Sequence, residues 1–250
     1  MFWFARKFEI QQTEAAENIQ PFQSYSSHGE DAIFFGILRR LSWITEENMF
    51  VPKTYLDVGA YLPKQDSNTY ALYLQGWRGT LVEPNPALIE QLRSQREGDL
   101  IEECAVNSSG EDAFLSIFFD DGSSNTISQS FAETIAASQQ IAPKNTVAVE
   151  AKTLDQIMSS HIQFFGEVPF LLDLDIEGVD ESVLLSYGWE SRPTFIWVED
   201  LVVELGIPNK IIQNRLMQME YFPVAQAFLS TLYVDQNSKY FSALRKYGPN

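Results

Sequence analysis

Cysteine is almost missing from this sequence, with Cys104 standing alone. An intramolecular disulfide is therefore impossible, and a cysteine-based zinc cage is excluded. Positive charge is scarce as well. Seventeen Lys and Arg face 34 Asp and Glu, for a net charge of −17 and a pI near 4.4. A phosphate backbone is repelled by such a chain, so nucleic acid is not an expected partner. An anionic membrane is disfavoured for the same reason. Long apolar runs are missing too: none reaches the ~18 residues of a spanning helix. Met1 to Lys7 is apolar and then basic, the reverse of a signal peptide's order. Together these absences lead to the expectation of a cytoplasmic protein. Internal repeats and low-complexity tracts are also absent. What is present is 250 residues, 45% hydrophobic and 20% charged, which suits one sizeable α/β domain with extensions.

Three separated segments carry the main signal. Tyr55-Leu56-Asp57-Val58-Gly59-Ala60, Gly79-Thr80-Leu81-Val82-Glu83-Pro84-Asn85-Pro86 and Phe170-Leu171-Leu172-Asp173-Leu174-Asp175-Ile176-Glu177-Gly178 are apolar runs that stop at carboxylates. In a parallel sheet such runs are buried strands, and ligands bind at the edge their C-terminal ends share. The spacing predicts strands over 54–58, 80–82, 100–106, 168–174 and 194–198, separated by helices. Ser27 and Glu30 read as the capping box of a first helix, whose stripe is Ile33, Phe34, Ile37, Leu38 and Leu41. Asn85-Pro86 is an N-cap followed by proline at the first helical position. The βα rhythm breaks between Asn107 and Val149, with an extra strand at 113–119, loop chemistry at 121–125 and a helix at 131–140. The rhythm resumes with 146–149 and a helix near 154–158 before the fourth strand, with His161 in a polar loop. Runs at 222–225 and 229–234 read as an antiparallel hairpin at the sheet edge.

Five βα units and a closing hairpin describe the class I methyltransferase fold better than a dehydrogenase. After Gly59 come Ala60, Tyr61, Leu62 and Pro63, so the second and third glycines of a dinucleotide fingerprint are missing. The expected architecture is a Rossmann-like α/β sheet with helices on both faces and a C-terminal antiparallel hairpin. Residues 1–45 read as an N-terminal arm and cap helix. Residues 46–250 read as the main domain, with 107–149 as acceptor wall or lid.

In order, Ser24-Tyr25-Ser26-Ser27-His28-Gly29-Glu30-Asp31, Asp57-Val58-Gly59-Ala60, Asp66-Ser67-Asn68-Thr69, Gly76-Trp77-Arg78-Gly79, Val82-Glu83-Pro84-Asn85-Pro86 and Asp175-Ile176-Glu177-Gly178-Val179-Asp180 resemble the FkbM-type S-adenosylmethionine-dependent methyltransferases. The resemblance covers roughly Ser24 to Val234. It departs at Asp173, often lysine or neutral in the family, and at His28, where glutamine or tyrosine is common. It implies methylation of a hydroxyl on a sugar, glycan or small natural product. The alternatives are an NAD-type nucleotide-binding enzyme and a non-catalytic cofactor-binding scaffold of the same fold.

Residue chemistry assigns the candidate roles. Glu83, at a strand end, suits both hydroxyls of a ribose. Asp57, Gly59 and Ala60 form the turn beside the methionine part of S-adenosylmethionine. Asn68 and Thr69 either cap a helix or face the cofactor carboxylate, and Pro84 and Asn85 border the same pocket. Ala105, beside Cys104 and Val106, suits a flat adenine or plain core packing. Asp175, Glu177 and His28 are the candidate catalytic groups for removing an acceptor's proton. Asp175, Glu199 and Asp200 offer three hard oxygen ligands to Mg²⁺ or Ca²⁺, or else are unrelated strand-end charges.

Overall fold

The computed structural model describes residues 22–44, 52–119, 125–202 and 207–247. The expected arm up to residue 21, and the 45/46 boundary, lie outside the described residues. In chain order the elements are α1 (Glu30–Ile44), β1 (Thr54–Val58), α2 (Tyr70–Leu74), β2 (Arg78–Val82), α3 (Pro86–Gln95), β3 (Leu100–Glu102), β4 (Ala105–Val106), β5 (Ala113–Ile117), α4 (Gln129–Gln139), β6 (Asn145–Val149), β7 (Ala151–Lys152) and α5 (Leu154–Phe165). They continue with β8 (Leu171–Leu174), α6 (Asp180–Ser186), β9 (Phe195–Glu199), β10 (Leu201–Val202), β11 (Ile207–Pro208), α7 (Lys210–Gln218), β12 (Tyr221–Ala227), β13 (Ser230–Asp235) and α8 (Lys239–Tyr247).

Seven strands form the central sheet in the order β12-β13-β9-β8-β1-β2-β3. The pairs β9/β8, β8/β1, β1/β2 and β2/β3 are parallel. Only β13 runs against its neighbours, between β9 and β12. Strand alternation sends the two faces into two cores. Leu56, Val58, Leu172 and Ile196 pack with Ile157 of α5, Leu184 of α6 and Leu216 of α7. Tyr55, Leu81, Leu171 and Trp197 pack with Phe34 of α1, Leu72 of α2, Leu92 of α3 and Tyr240 of α8. Helices therefore cover both faces. Phe34 and Leu41, both fully buried, fasten α1 to the sheet at about 1.5–3 kcal/mol each. Among the described residues no helix is long and apolar enough to cross a membrane.

The structure corrects several sequence expectations. The third strand is not continuous: Leu100–Glu102 joins the main sheet, whereas Ala105–Val106 leaves it to pair with Ala151–Lys152. Asn145–Val149 does not resume the core rhythm but pairs antiparallel with Ala113–Ile117. The helix placed near 154–158 runs to Phe165, closed at its start by a Thr153/Gln156 capping box. His161 is thus helical and fully buried, not in a polar loop.

Ser27 does not cap α1 either. Asp31 is buried and draws in the Ser24 and Ser26 hydroxyls and the Tyr25 N–H, so the chain enters the helix later, at Glu30. Ser27 instead donates to Asp66, and Glu30 accepts from the His28 N–H at 3.0 Å.

Candidate functional site

The parallel strands β1, β2 and β8 all end at one edge, where a cavity of about 270 Å³ opens. Val58 and Gly59 border it from β1, Glu83 and Pro84 from β2, and Asp175 and Glu177 from β8. Gly59 has φ +93°, and a Cβ on it would lie 1.8 Å from the carbonyl oxygen of Asp175. Close approach of the β8 end therefore demands glycine here, whatever the cavity holds.

Glu83 is 5% exposed. Its Oε1 accepts from the Asn85 N–H at 2.8 Å and its Oε2 from the Tyr61 N–H at 2.9 Å. Two backbone donors thus fix the carboxylate, and each oxygen keeps one further acceptor position. Burial pushes its carboxyl up to about 7. Ala105 borders the cavity beyond Glu83, with Cys104 and Val106, and supplies an apolar wall. Asn85 acts as an N-cap, accepting from the Ala87 N–H at 3.1 Å.

Asp57, Asn68 and Thr69 do not border the cavity. The Thr69 hydroxyl donates to Asp57 at 2.5 Å, and the Asn68 amide donates to Asp173 at 3.1 Å. Behind them lies Arg96, just past the end of α3 and only 1% exposed. It ion-pairs with Asp99 at 2.9 Å and donates to the Tyr55 hydroxyl, Thr69 and the Pro63 carbonyl. Asp57 therefore organises the turn from behind, inside a buried polar network. Ala60 packs in the apolar core beside α1 and α3.

The β8 side of the cavity is acidic. Burial lifts Asp180 to about 7 and Glu177 to about 8, and the protein crowded around Asp175, itself open to solvent at the strand end, raises its carboxyl to about 6. Burial and the neighbouring Asp175 charge lift Glu199 to about 9, and the two carboxyls interact directly. Glu177 (φ +50°) and Gly178 (φ +93°) form a left-handed turn between β8 and α6. Asp180 faces back and accepts from the Ile176 N–H.

The three-carboxylate metal set is not assembled. Asp200 is turned to the Thr231 and Tyr233 hydroxyls at 2.7 and 2.6 Å and to the Gln213 amide. Both its oxygens are engaged, tying the hairpin and α7 to the end of β9. Among the described residues no group of three or more His, Cys, Asp or Glu is arranged to hold a metal ion.

His28 lies before α1 with its Nδ1 3.7 Å from Glu30 and its ring 4.7 Å from that of Phe228. Its electrostatic effect reaches Asp175, although His28 does not border the cavity. His161 is remote from this edge. Its Nδ1 meets Thr80 at 2.9 Å, and burial pushes its imidazole down to about 4.

The insert forms the remaining wall. Thr126 exchanges backbone hydrogen bonds with Ser116 and donates its hydroxyl to the Glu177 carbonyl at 2.6 Å. Phe131 of α4 packs against Gly178 so closely that a Cβ there would lie 2.8 Å away. Asn125, read from sequence only as loop chemistry, borders the cavity. No periodic pattern marks it in the sequence, because its position depends on the Ser116–Thr126 pairing.

A family model described as the methyltransferase FkbM domain matches residues 57–221. The matched stretch begins at Asp57 and ends at the first residue of β12, so it takes in the insert and every residue bordering the cavity except Ser27. No curated protein and no solved structure matches the chain.

Proposed function

The chain belongs to the FkbM methyltransferase family, and on that premise we propose that it is an S-adenosylmethionine-dependent O-methyltransferase of the class I fold, acting on a hydroxyl of a sugar, glycan or small natural product. The observation that carries this reading is Glu83. Its two remaining acceptor positions match the two vicinal hydroxyls of a ribose, and its backbone clamps leave it one orientation. The sheet order, with a single antiparallel strand inserted beside β9, supports the class I reading.

The donor set suits this cofactor. When bound, S-adenosylmethionine supplies an activated methyl group on a sulfonium centre. The cavity facing it is rich in carboxylates and borders no lysine or arginine among the described residues, which favours a cationic ligand. Glu83 would hold the ribose, Ala105 and Pro84 the base, and the Gly59 turn the amino-acid end. Asp175, at about 6, is mostly ionised at neutral pH and is suited to accept an acceptor's proton. Glu199, at about 9, stays protonated beside it, so the pair carries one negative charge rather than two. His28, whose electrostatic effect reaches Asp175, is the second proton-accepting candidate.

The test is methyl transfer from labelled S-adenosylmethionine to a panel of sugars and hydroxylated small molecules, read as release of S-adenosylhomocysteine. Acceptor-dependent release that falls at least tenfold in Asp175→Asn, with cofactor binding retained, supports the reading. Transfer to nitrogen or carbon alone would overturn the hydroxyl assignment. Failure of the folded protein to bind the cofactor would overturn the whole reading.

A further inference from the structure

The Asn125 amide is shielded from solvent within a partly buried residue, and the fold leaves it idle. Neither its Oδ1 nor its Nδ2 has a hydrogen-bond partner among the described residues. An unpaired shielded amide is destabilising, and such a group in a cavity wall asks for a function. Its surroundings say which part of a ligand it meets. Ser116 and Thr126 pair antiparallel, so Leu115 and Ile127 stand opposite one another, and Asn125 lies two residues from Ile127 on the same face. Leu115 and Ile127 pack with Ala105, Val149 and Ala151. Asn125, Leu115, Ile127 and Ala105 all border the cavity, next to Glu83 and Pro84.

The result is an apolar slot beyond Glu83, with one amide at its wall. Apolar sides take the faces of a flat ring. A carboxamide carries one acceptor and one donor side by side, the complement of a 6-aminopurine edge, where an exocyclic N–H lies next to a ring nitrogen. No hydrogen bond holds the amide in its present orientation, so rotation about its own side-chain bonds toward the cavity breaks none.

We propose that Asn125 is the base-reading residue of this site: its Oδ1 accepts from the 6-amino group of adenine and its Nδ2 donates to the adjacent ring nitrogen. This rests on the cofactor reading above and extends it, since it makes the insert a part of the cofactor site and not only a wall for the acceptor. Thr126, tied to the Glu177 carbonyl, would then link base recognition to the turn that carries Glu177.

The test uses S-adenosylhomocysteine and its 6-unsubstituted purine analogue, each titrated calorimetrically into the full chain and into Asn125→Ala, with folding checked by thermal melting. Wild type should bind the 6-amino form roughly 10- to 100-fold more tightly than the analogue, the range of a bidentate amide contact. In Asn125→Ala that preference should shrink to within about threefold, chiefly by weaker binding of the 6-amino form. An unchanged preference in Asn125→Ala, with binding intact, would overturn the proposal and leave the cofactor reading standing. Equal binding of both forms by wild type would overturn it without any variant. Binding of neither form by folded wild type would overturn the cofactor reading and this proposal together.

Discussion

Replacing Arg96 with methionine should unfold this protein several degrees sooner, although Arg96 does not border the cavity at the strand ends. The guanidinium is buried with Asp99 and also serves Tyr55, Thr69, Ser67 and the Pro63 carbonyl. Removing one partner of a buried pair leaves the other charge uncompensated, at a cost of about 3–5 kcal/mol. Asp99 would keep the Tyr55 hydroxyl and the Gly79 N–H, so the lower end of that range, about 3 kcal/mol, applies. For a chain of this size that is a fall in Tm of roughly 6–12 °C. Urea unfolding would report it as a lower midpoint with an unchanged slope. The double variant Arg96→Met with Asp99→Asn should recover at least about 1 kcal/mol, because it removes the stranded charge while keeping an acceptor for Gly79 and Tyr55. A loss below about 1 kcal/mol in Arg96→Met, or a double variant no more stable than the single one, would refute the claim that this network holds the turn.

Three further outcomes follow from the same structure. Glu177, Asp180 and Glu199 are lifted by burial to about 8, 7 and 9, so the native chain keeps protons that the unfolded chain releases. Stability from this source is present at low pH and lost as pH rises through about 7 to 9. The Tm of the ligand-free protein should therefore fall from pH 6.5 to 9, and less so in Glu199→Gln; parallel profiles would contradict this. His161 runs the other way: held down at about 4, it contributes stability above pH ~6.5 that is lost toward pH 4. His161→Leu should flatten that acid limb in thermal melts, and an unaltered limb would count against it. Gly59→Ala should cost well over the roughly 1 kcal/mol of an ordinary left-handed glycine replacement, since its Cβ meets the Asp175 carbonyl; near-wild-type urea unfolding would show the β8 approach to be softer than described.

Much of the frame was legible in the sequence because strand ends and caps are local chemistry. Glu83 after Val82, Asp175 after Leu174 and the Asn85 cap of α3 all stand where the apolar runs and the Asn-Pro pair put them. The rest depended on partners far along the chain. Arg96 carried no signal in the sequence, because its partners Tyr55 and Pro63 are distant along the chain. The Ser27 capping box lost to Asp31, whose buried carboxylate gathers the preceding serines. His161 had a readable signal: with Leu154, Ile157 and Met158 it completes one helical face. Asn125 had none, since only the pairing of Thr126 with Ser116 brings it to the cavity.

The most direct measurement is calorimetric titration of S-adenosylhomocysteine into wild type and Glu83→Gln near pH 8, with NAD as the control ligand. The expected result is binding by wild type, no binding of NAD, and an affinity at least about tenfold lower in Glu83→Gln, as loss of a charged hydrogen-bond acceptor requires. No binding by folded wild type, or equal affinity in Glu83→Gln, would contradict the assignment of this edge as a nucleoside-cofactor site.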